Sequence, residues 1–390
     1  MASVADNGVT TSDRRGRRRA LFGLLGVVAL TAAACGGTST GSSGTSAAAP
    51  ASNTPSASSS KFLACEVTDT GGINDRSFNA SAYQGLKVAA KSIPGLTYTY
   101  LQSNSTSDYT PNINTLIARN CGIIITVGFD MGNATKAAAK AHPSQKFAIV
   151  DFSYSPSIKN IKGLTYETNQ DAFQGGYLAA AMSKSGKVGT FGGQDIPPVT
   201  IYMDGFVAGV RYYDKLNHKN VQAIGWTPKA GRAKGSLAGN GLFTNDFTNQ
   251  ALGKTDAQTL MAQGADVIFP VAGSVGLGAA AAVKQAGGSN YMEWVDTDGC
   301  VSAPQYCSLF LTSVTKGITT SVADAVEAAA KGTFKGGLYN GDLANGGVVL
   351  SPYHQLASKV PASVTSELAK IKTGIENGSI SVDPNSYPAS

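Results

Sequence analysis

The chain has 390 residues, of which 42% are hydrophobic and 14% charged, and its formal net charge is +6. This length suits about two domains, and the composition is typical of a globular protein rather than of a disordered or coiled-coil one. Five arginines lie between positions 14 and 19. The rest of the chain is therefore only mildly basic, and its charge gives no reason to expect nucleic acid as a partner.

The N-terminal segment has the pattern of a bacterial signal peptide. Arginines at 14–19 precede apolar or small residues from Ala20 to Ala33, a run too short for a transmembrane helix. Small residues then precede Cys35, which resembles a lipobox cysteine that is lipidated and becomes the mature N-terminus. We expect residues 1–34 to be a removed signal peptide and Cys35 to be lipidated. An ordinary cleaved signal, with Cys35 lost or free, is the alternative. The leader also resembles a twin-arginine export signal at Arg18-Arg19, which leaves the export route open.

Residues 35–60 are predicted to be the lipidated cysteine and a flexible linker. The segment after Cys35 is almost entirely Gly, Ser, Thr, Ala and Pro, and it carries no charge. Such a composition cannot bury a core. Because one acyl chain anchors a protein only weakly, stable attachment would need a multiply acylated cysteine.

The first element of the folded part is a predicted buried strand from Phe62 to Val67, and a helix is predicted from Ala80 to Lys91. Residues 68–78, Thr-Asp-Thr-Gly-Gly-Ile-Asn-Asp-Arg-Ser-Phe, connect the two. Open α/β sheets bind ligands at such strand-to-helix turns, and a glycine pair allows close backbone approach. A capped turn without a ligand is the alternative, because three residues here suit a helix N-cap: Asn74, Asp75 and Ser77.

Strands and helices then alternate, which is typical of a parallel doubly wound sheet. The next predicted elements are a strand at 96–101, a helix at 112–119, a strand at 122–128, a helix at 133–141 and a strand at 146–151.

Three aspartates, Asp69, Asp130 and Asp151, each follow the carboxyl end of a predicted strand. Because those ends share one edge of a parallel sheet, the three acids could face one crevice. The alternative for each is a helix N-cap, which we favour for Asp151.

A second alternating series begins after residue 170, and the two halves are similar in architecture without a sequence repeat. We therefore predict an α/β protein with two such sheets. The predicted helices are 171–182, 199–217, 256–262, 273–285, 318–331 and 362–377, and the predicted strands are 187–191, 220–226, 265–271, 291–295 and 348–350.

Several motifs resemble those of the basic membrane protein family. Its members are bacterial lipoproteins, similar to the purine nucleoside receptor, that bind substrates for ABC importers. The signature is Asp-Thr-Gly-Gly-Ile-Asn-Asp-Arg-Ser-Phe-Asn at 69–79. The resemblance spans about residues 62–350 and implies a periplasmic-binding-protein type I fold, in which a hinge joins two doubly wound parallel-sheet lobes around a cleft. Further matches occur at 173–180, 192–198, 204–209, 264–269 and 311–316.

We expect the domain boundaries to follow this fold. Residues 61–168 and 316–333 are assigned to lobe 1. Residues 169–315 and 334–356 are assigned to lobe 2, and residues 357–390 to a C-terminal helix and tail.

The resemblance also implies a set of ligand-binding residues. Phe78 and Phe247 would stack on the two faces of a nucleobase, and Asp296 would accept hydrogen bonds from ribose hydroxyls. Asp69 and Asp130 would hold polar edges of the ligand, and Lys316 would lie beside the acids. Thr70 replaces an asparagine of some relatives, which leaves the base preference open. Asn74 and Gly273 complete the set.

The assignment of Phe247 depends on the segment 227–244, which is longer than the family pattern. Phe247 fits best because it precedes Gly253-Lys254 by a short linker. The alternative aromatic residues are Trp226, Phe243 and Phe269.

Four further cysteines are expected to form disulfides, because exported chains meet oxidising conditions. Cys300 and Cys307 are close enough in sequence to staple a short loop. Cys65 and Cys121 can pair if their strands are neighbours, as the fold requires. The sequence has no Cys-x-x-Cys motif, and no metal site is expected.

We expect no catalytic residue and no cofactor. Gly253-Lys254-Thr255 resembles the end of a phosphate-binding loop, but Thr248 stands where that loop needs its first glycine. The three histidines are predicted to be exposed. Residues 68–75 superficially resemble the metal-binding motif at the start of calcium-dependent nucleoside hydrolases. Two carboxylates of that motif are replaced here, by Val67 and Asn74. Because calcium needs six to eight oxygen ligands, these replacements argue against a hydrolase.

The expected function is therefore that of a substrate-binding lipoprotein. It would capture a nucleoside, with purines favoured, and deliver it to a permease and its ATPase. We expect a monomer at the extracytoplasmic face of the bacterial cell membrane, held by the lipid anchor and without a nucleic-acid partner. The alternative within the same fold is a sugar-binding or ligand-sensing protein.

Overall fold

A computed structural model describes residues 62–229 and 240–388. The predicted signal peptide, Cys35 and linker lie outside the described residues. So do ten residues of the unusually long segment 227–244.

The described residues form two lobes, each built on a six-stranded sheet. The strands in chain order are β1 (Leu63–Val67), β2 (Thr97–Leu101), β3 (Ile123–Val127), β4 (Phe147–Val150), β5 (Ile161–Tyr166), β6 (Lys187–Gly192), β7 (Gln222–Ile224), β8 (Trp226–Thr227), β9 (Asn240–Gly241), β10 (Val267–Val271), β11 (Tyr291–Asp296), β12 (Phe310–Lys316), β13 (Gly337–Gly341) and β14 (Val348–Leu350).

Helices connect most of these strands. In chain order they are α1 (Phe78–Ser92), α2 (Tyr109–Ala118), α3 (Gly132–Ala141), α4 (Thr168–Met182), α5 (Pro197–Asn217), α6 (Gln250–Ala262), α7 (Gly276–Ala286), α8 (Gly299–Ser302), α9 (Ile318–Ala330) and α10 (Ala362–Glu376).

The two sheets have corresponding strand orders. The first runs β13-β5-β4-β3-β1-β2, and all of its pairs are parallel. The second runs β14-β12-β11-β10-β6-β7, and only β14 is antiparallel to its neighbour. Each strand of one six-stranded sheet therefore has a counterpart in the other. The predicted α/β class with two doubly wound parallel sheets is confirmed.

Both faces of the sheets are covered, as parallel sheets require. All five residues of β3 are buried, and so are all six of β11. Glycines let the helices on the second sheet approach closely: a Cβ on Gly209 of α5 would lie 1.9 Å from the carbonyl oxygen of Phe173 in α4. This explains why α4 and α5 are rich in small residues.

Within the described residues the chain crosses between the lobes three times. The crossings are at Glu167, at Gly317 and between β13 and β14. Two hydrogen bonds join them: the Glu167 N–H donates to the Gly341 carbonyl (2.7 Å), and the Gly317 N–H donates to that of Gly347 (2.8 Å). The three connections therefore lie side by side and form the hinge.

The structure changes the predicted lobe boundaries. Residues 334–356 were assigned to the second lobe, but β13 pairs with β5 in the first sheet. Neither β5 nor β13 was predicted. Strand β13 reads Gly-Leu-Tyr-Asn-Gly and alternates between half-buried and exposed residues until its buried last residue, so it carries no buried apolar run. Helix α10 packs against α4 through buried Leu368 and Ile371, which makes it part of the second lobe.

Both expected disulfides are present. Cys65 of β1 is bonded to Cys121, which precedes the neighbouring strand β3, and Cys300 is bonded to Cys307. Among the described helices, none combines the length and hydrophobicity needed to cross a bilayer.

Candidate functional site

A cavity lies between the carboxyl ends of the strands of the two lobes. Eight of the nine predicted ligand-binding residues line it. They are Asp69, Thr70, Phe78, Asp130, Phe247, Gly273, Asp296 and Lys316. The cavity is lined by the ends of β1, β3 and β4 from one lobe and of β10, β11 and β12 from the other. This convergence follows from parallel topology, which collects loops at one edge of each sheet.

Asp69 and Asn79 form a hydrogen-bonded pair in the first lobe. The Asp69 carboxylate accepts from the Gly71 N–H and from Asn79 Nδ2, both at 2.8 Å, and the Asp69 N–H donates to Asn79 Oδ1 (3.1 Å). Burial raises the pKa of Asp69 to about 7, although the bonds from Asn79 and Gly71 oppose that shift. Near neutral pH this carboxyl is present in both its neutral and ionised forms, so it can donate or accept. Asp130 lies in the same cavity, and burial raises its pKa.

Asp75 caps the first turn of α1. Its carboxylate accepts from the backbone N–H groups of Ser77 (3.0 Å), Asn79 (2.7 Å) and Ala80 (3.1 Å). Burial raises the pKa of Asp75 to about 6, against the lowering effect of these bonds. Asp75 and Ser77 are buried at this turn. Asn74, by contrast, is exposed and does not line the cavity. The structure therefore does not place Asn74 in the predicted site.

Lys316 lies between two equivalent aspartates. Asp151 follows β4 and Asp296 ends β11, its counterpart, and both have left-handed backbones, with φ of 63° and 65°. Lys316 Nζ is 2.6 Å from Asp151 Oδ2 and 3.6 Å from Asp296 Oδ1. Our preference for Asp151 as a helix N-cap is wrong, because no helix follows it and its carboxylate binds Lys316 across the cleft.

Burial and the neighbouring carboxylates together set the charge of Lys316. Burial lowers the pKa of Lys316, but the two carboxylates raise it more, so the net direction is upward. Burial raises the pKa of Asp151, and Lys316 opposes that effect. The lysine is therefore a cation held between acids from both lobes.

Asp296 has further partners from each lobe. Its Oδ2 accepts from Ser77 Oγ of the first lobe (2.6 Å), and its Oδ1 accepts from the hydroxyl of Tyr202 in the second (3.1 Å). Lys316 Nζ also lies 5.1 Å from the centroid of the Phe78 ring. The acid, the lysine and Phe78 therefore form one contiguous part of the cavity wall.

Phe247 lines the cavity from the second lobe, opposite the lobe that carries Phe78. Its ring packs on Gly193, where a Cβ would come within 2.2 Å of the ring. Phe243 packs instead on Gly192 and on buried Trp226. Phe269 is buried in the core. Among the four aromatic candidates, Phe247 is thus the one that lines the cavity.

We expect Gly193→Ala to weaken ligand binding about tenfold, because the new methyl group would displace the Phe247 ring. The matched control is Gly186→Ala, where a Cβ meets nothing within 4 Å, although its positive φ carries a modest strain. Isothermal titration calorimetry gives the affinities, and circular dichroism checks that both variants fold. Equal affinity in the Gly193 variant and the parent would show that the Phe247 position does not matter.

Several lining residues were not predicted. Gln194 stands in the motif 192–198, and Asn79 ends the signature 69–79, so the motifs gave a signal for both. Tyr109 begins α2 and Tyr202 lies inside α5, and nothing in their local sequence distinguishes them from core residues. The missed lining residues include Asp75, Asn79, Tyr109, Phe129, Asp151, Gln194 and Tyr202.

One group of potential metal ligands occurs outside the cavity, in the part of the chain that the structure describes. Asp298, Cys300 and His354 lie close together. The sulfur of Cys300 is in a disulfide and His354 Nε2 already pairs with Asp298 Oδ2 at 2.7 Å. The group therefore lacks the four ligands of a zinc site.

Comparisons with known proteins agree with the fold and the motifs. A family model described as "ABC transporter substrate-binding protein PnrA-like" matches residues 62–236 and 242–385. The ABC transporter nucleoside-binding protein BmpA of Lactococcus lactis subsp. cremoris is 32% identical over 348 residues, which cover 85% of this chain and 92% of that protein. Basic membrane protein A1 of Borrelia garinii subsp. bavariensis is 28% identical over 321 residues, covering 81% and 86%.

A solved structure supports the fold independently. A solute-binding protein of an ABC transporter system from Aeropyrum pernix K1 superposes with a TM-score of 0.70 at 24% sequence identity, and the match covers 82% of this chain and 92% of that one. With this fold, an interlobe cavity and a family match over most of its length, the chain belongs to the PnrA-like Bmp family of ABC transporter substrate-binding proteins, and its partners are a ligand and a permease.

Proposed function

We propose that this protein binds a nucleoside, with purines preferred, in the interlobe cavity and passes it unchanged to the permease and its ATPase. The observation that carries the proposal is the distribution of side chains in the cavity. Phe78 and Phe247 come from opposite lobes, Asp69 and Asp130 offer polar contacts to a base, and Asp296 with Lys316 offers contacts to ribose hydroxyls. The relative from Lactococcus lactis is named as a nucleoside-binding protein.

The charge of the cavity favours a neutral ligand. Five carboxyl groups line it, at Asp69, Asp75, Asp130, Asp151 and Asp296, and Lys316 is the ammonium among the lining residues. A phosphorylated nucleoside would bring its negative charge next to several like charges, which is costly at low dielectric. A nucleoside avoids this cost.

The expected interactions are strong enough for capture. Two stacking contacts contribute roughly 0.5–1.5 kcal/mol each beyond burial, and hydrogen bonds to charged groups roughly 1.5–3 kcal/mol each. These gains offset ligand immobilisation and lobe closure. We expect a dissociation constant in the micromolar range or below.

Cys35 is proposed to carry the lipid that holds the protein at the extracytoplasmic face of the cell membrane. The mass of protein extracted from membranes tests this, because acylation adds the mass of the lipid to a chain that begins at Cys35. The unmodified mass would contradict lipidation.

The function is tested by titrating residues 36–390 with adenosine, guanosine, inosine, cytidine, uridine and ribose in a calorimeter. Saturable binding of purine nucleosides without product formation is the expected result. Binding of ribose alone would replace the ligand class by a sugar. Release of free base would restore an enzymatic interpretation.

We expect Asp296→Ala to weaken nucleoside binding about tenfold or more, because a hydrogen-bonding carboxylate is lost from the ribose side. Asp324→Ala is the control, since Asp324 is exposed on α9 and outside the cavity. The same titrations measure both variants. An Asp296 variant that binds as tightly as the parent would refute the role of this carboxylate.

A further inference from the structure

Ser77 makes a hydrogen bond from one lobe to the other. Its Oγ is 2.6 Å from Asp296 Oδ2 and 3.2 Å from the carbonyl oxygen of Val295. The hydroxyl has one proton, and the shorter distance and the negative charge favour the carboxylate as its acceptor. Ser77 has no exposed surface, and Asp296 is 6% exposed. The bond is therefore shielded from water, where it is strongest.

The first lobe holds Ser77 firmly. The Ser77 N–H donates to Asp75 Oδ1 (3.0 Å), and its carbonyl accepts from the N–H of Ser81 (3.1 Å) and from the Ser81 hydroxyl. These bonds fix the residue at the start of α1. Because Ser77 is fixed in the first lobe and Asp296 belongs to the second, their bond requires the two lobes to lie together as they do here.

Asp296 is held by its own lobe from the other side. Tyr202 donates to Oδ1, and Asp296, which has a left-handed backbone, lines the cavity. Each carboxylate oxygen accepts about two hydrogen bonds. Ser77 uses one position on Oδ2, whereas Oδ1 accepts from Tyr202 and lies 3.6 Å from the Lys316 ammonium, so Oδ2 keeps capacity for a ligand hydroxyl.

We propose that Ser77 is a positioning residue that couples lobe closure to capture of a hydroxyl-bearing ligand. This inference rests on the proposed function and deepens it. Closure brings the Ser77 hydroxyl to Asp296 and sets the carboxylate in the orientation that receives the ligand hydroxyls. A ligand that binds Asp296 in that orientation in turn stabilises the closed arrangement, because the two events share one carboxylate.

The Ser77 hydroxyl is expected to affect which ligands the protein prefers. Ser77 acts on the ribose side of the ligand, through Asp296. Loss of its hydroxyl should therefore weaken the binding of a ribonucleoside more than the binding of the free base. A merely structural role at the start of α1 would weaken both equally.

The test compares Ser77→Ala with Thr135→Val and Ser77→Thr. Thr135 of α3 is the matched control, because it is also buried in the first lobe and its hydroxyl donates within that lobe, to Thr126 Oγ1 (2.8 Å). Calorimetry with inosine and with hypoxanthine gives the affinities. Small-angle X-ray scattering without ligand and with inosine gives the radius of gyration, which reports closure.

We expect Ser77→Ala to bind inosine about tenfold more weakly than the parent, to change hypoxanthine binding little, and to be more extended than the parent without ligand. Ser77→Thr should restore much of the inosine affinity, and Thr135→Val should behave like the parent. Equal losses for inosine and hypoxanthine, or no loss, would overturn the inference.

The two proposals fail in different ways. If the parent binds no nucleoside, the proposed function fails, and the scattering comparison without ligand still decides the role of Ser77. Identical radii of gyration for the parent and Ser77→Ala would then overturn the positioning role. Normal binding by the parent together with an unchanged Ser77 variant would leave the function standing and remove the inference.

Discussion

Replacement of Lys316 with methionine is expected to weaken nucleoside binding a hundredfold or more. The side chains of Lys316, Asp151 and Asp296 are 4%, 6% and 7% exposed. Without the ammonium, the closed cleft would hold two facing carboxylates from opposite lobes. Removal of one partner from a buried ion pair costs about 3–5 kcal/mol. Opening of the cleft relieves that cost by hydrating both acids, so the variant should favour the open arrangement.

This effect should depend on pH. Lys316 holds down the pKa of Asp151, which burial raises, so its loss raises that pKa further. The closed variant then binds more protons than the open one, and closure is favoured at low pH and lost as pH rises through the raised pKa. The ratio of variant to parent affinity should therefore be closer to one at pH 5.5 than at pH 8. Asp69 and Asp75, with pKa values of about 7 and 6, titrate in both proteins. Their contribution to the pH dependence therefore largely cancels in the ratio of variant to parent affinity.

Calorimetry at the two pH values and small-angle scattering without ligand measure these effects. The control is Lys331→Met, which removes an exposed lysine paired with Glu327 at 2.7 Å. Exposed pairs contribute little, so this variant should match the parent. If Lys316→Met closes and binds like the parent at pH 8, the lysine does not hold the lobes together.

The second large effect concerns Glu293, which is buried in β11 behind the cavity. Neither of its carboxyl oxygens has a hydrogen-bond partner within the described residues. A Cβ on Gly175 of α4 would lie 2.6 Å from its Oε2, so the carboxyl is packed against that helix. Burial raises the pKa of Glu293 from 4.5 to about 8. At neutral pH the folded protein therefore carries this residue as a neutral acid.

Glu293→Gln should stabilise the protein increasingly as pH rises. Below pH 4.5 the acid is protonated in both states. Between pH 4.5 and about 8 the folded state keeps the proton that the unfolded state releases, so the parent loses stability with rising pH. Glutamine has the same size and does not ionise. The stability of the variant relative to the parent should increase by about 3–5 kcal/mol between pH 4.5 and 8.

Urea denaturation at pH 5, 7 and 8 measures this difference. Glu376→Gln is the control, because Glu376 is exposed at the end of α10, and its effect should be small at every pH. Glu66 of β1 is also buried, and burial raises its pKa well above the usual value, so the parent and the variant share its contribution. A difference between Glu293→Gln and the parent that does not change with pH would contradict the prediction.

Sequence patterns were sufficient where local chemistry and element order decide the outcome. Buried apolar runs identified β1 and β3, and strand-helix alternation gave two parallel sheets. Because parallel strands end at one edge, the positions of Asp69 and Asp130 after strands were enough to place them together. The motif resemblance added Phe247, Asp296 and Lys316, which local patterns alone do not distinguish.

Only the tertiary structure decided which contacts cross between segments that are distant in the chain. Strand β13 joins the first sheet because it finds an open edge beside β5, and its own sequence gives no sign of that pairing. The local sequence of Asp151 predicts a helix cap, whereas in the structure its carboxylate binds Lys316, which is 165 residues later in the chain. The bond between Ser77 and Asp296 spans 219 residues. Such contacts depend on how the two lobes lie against each other. Hydrophobic periodicity indicates which side of a segment is buried, but it does not indicate which distant charged group or hydroxyl that segment contacts.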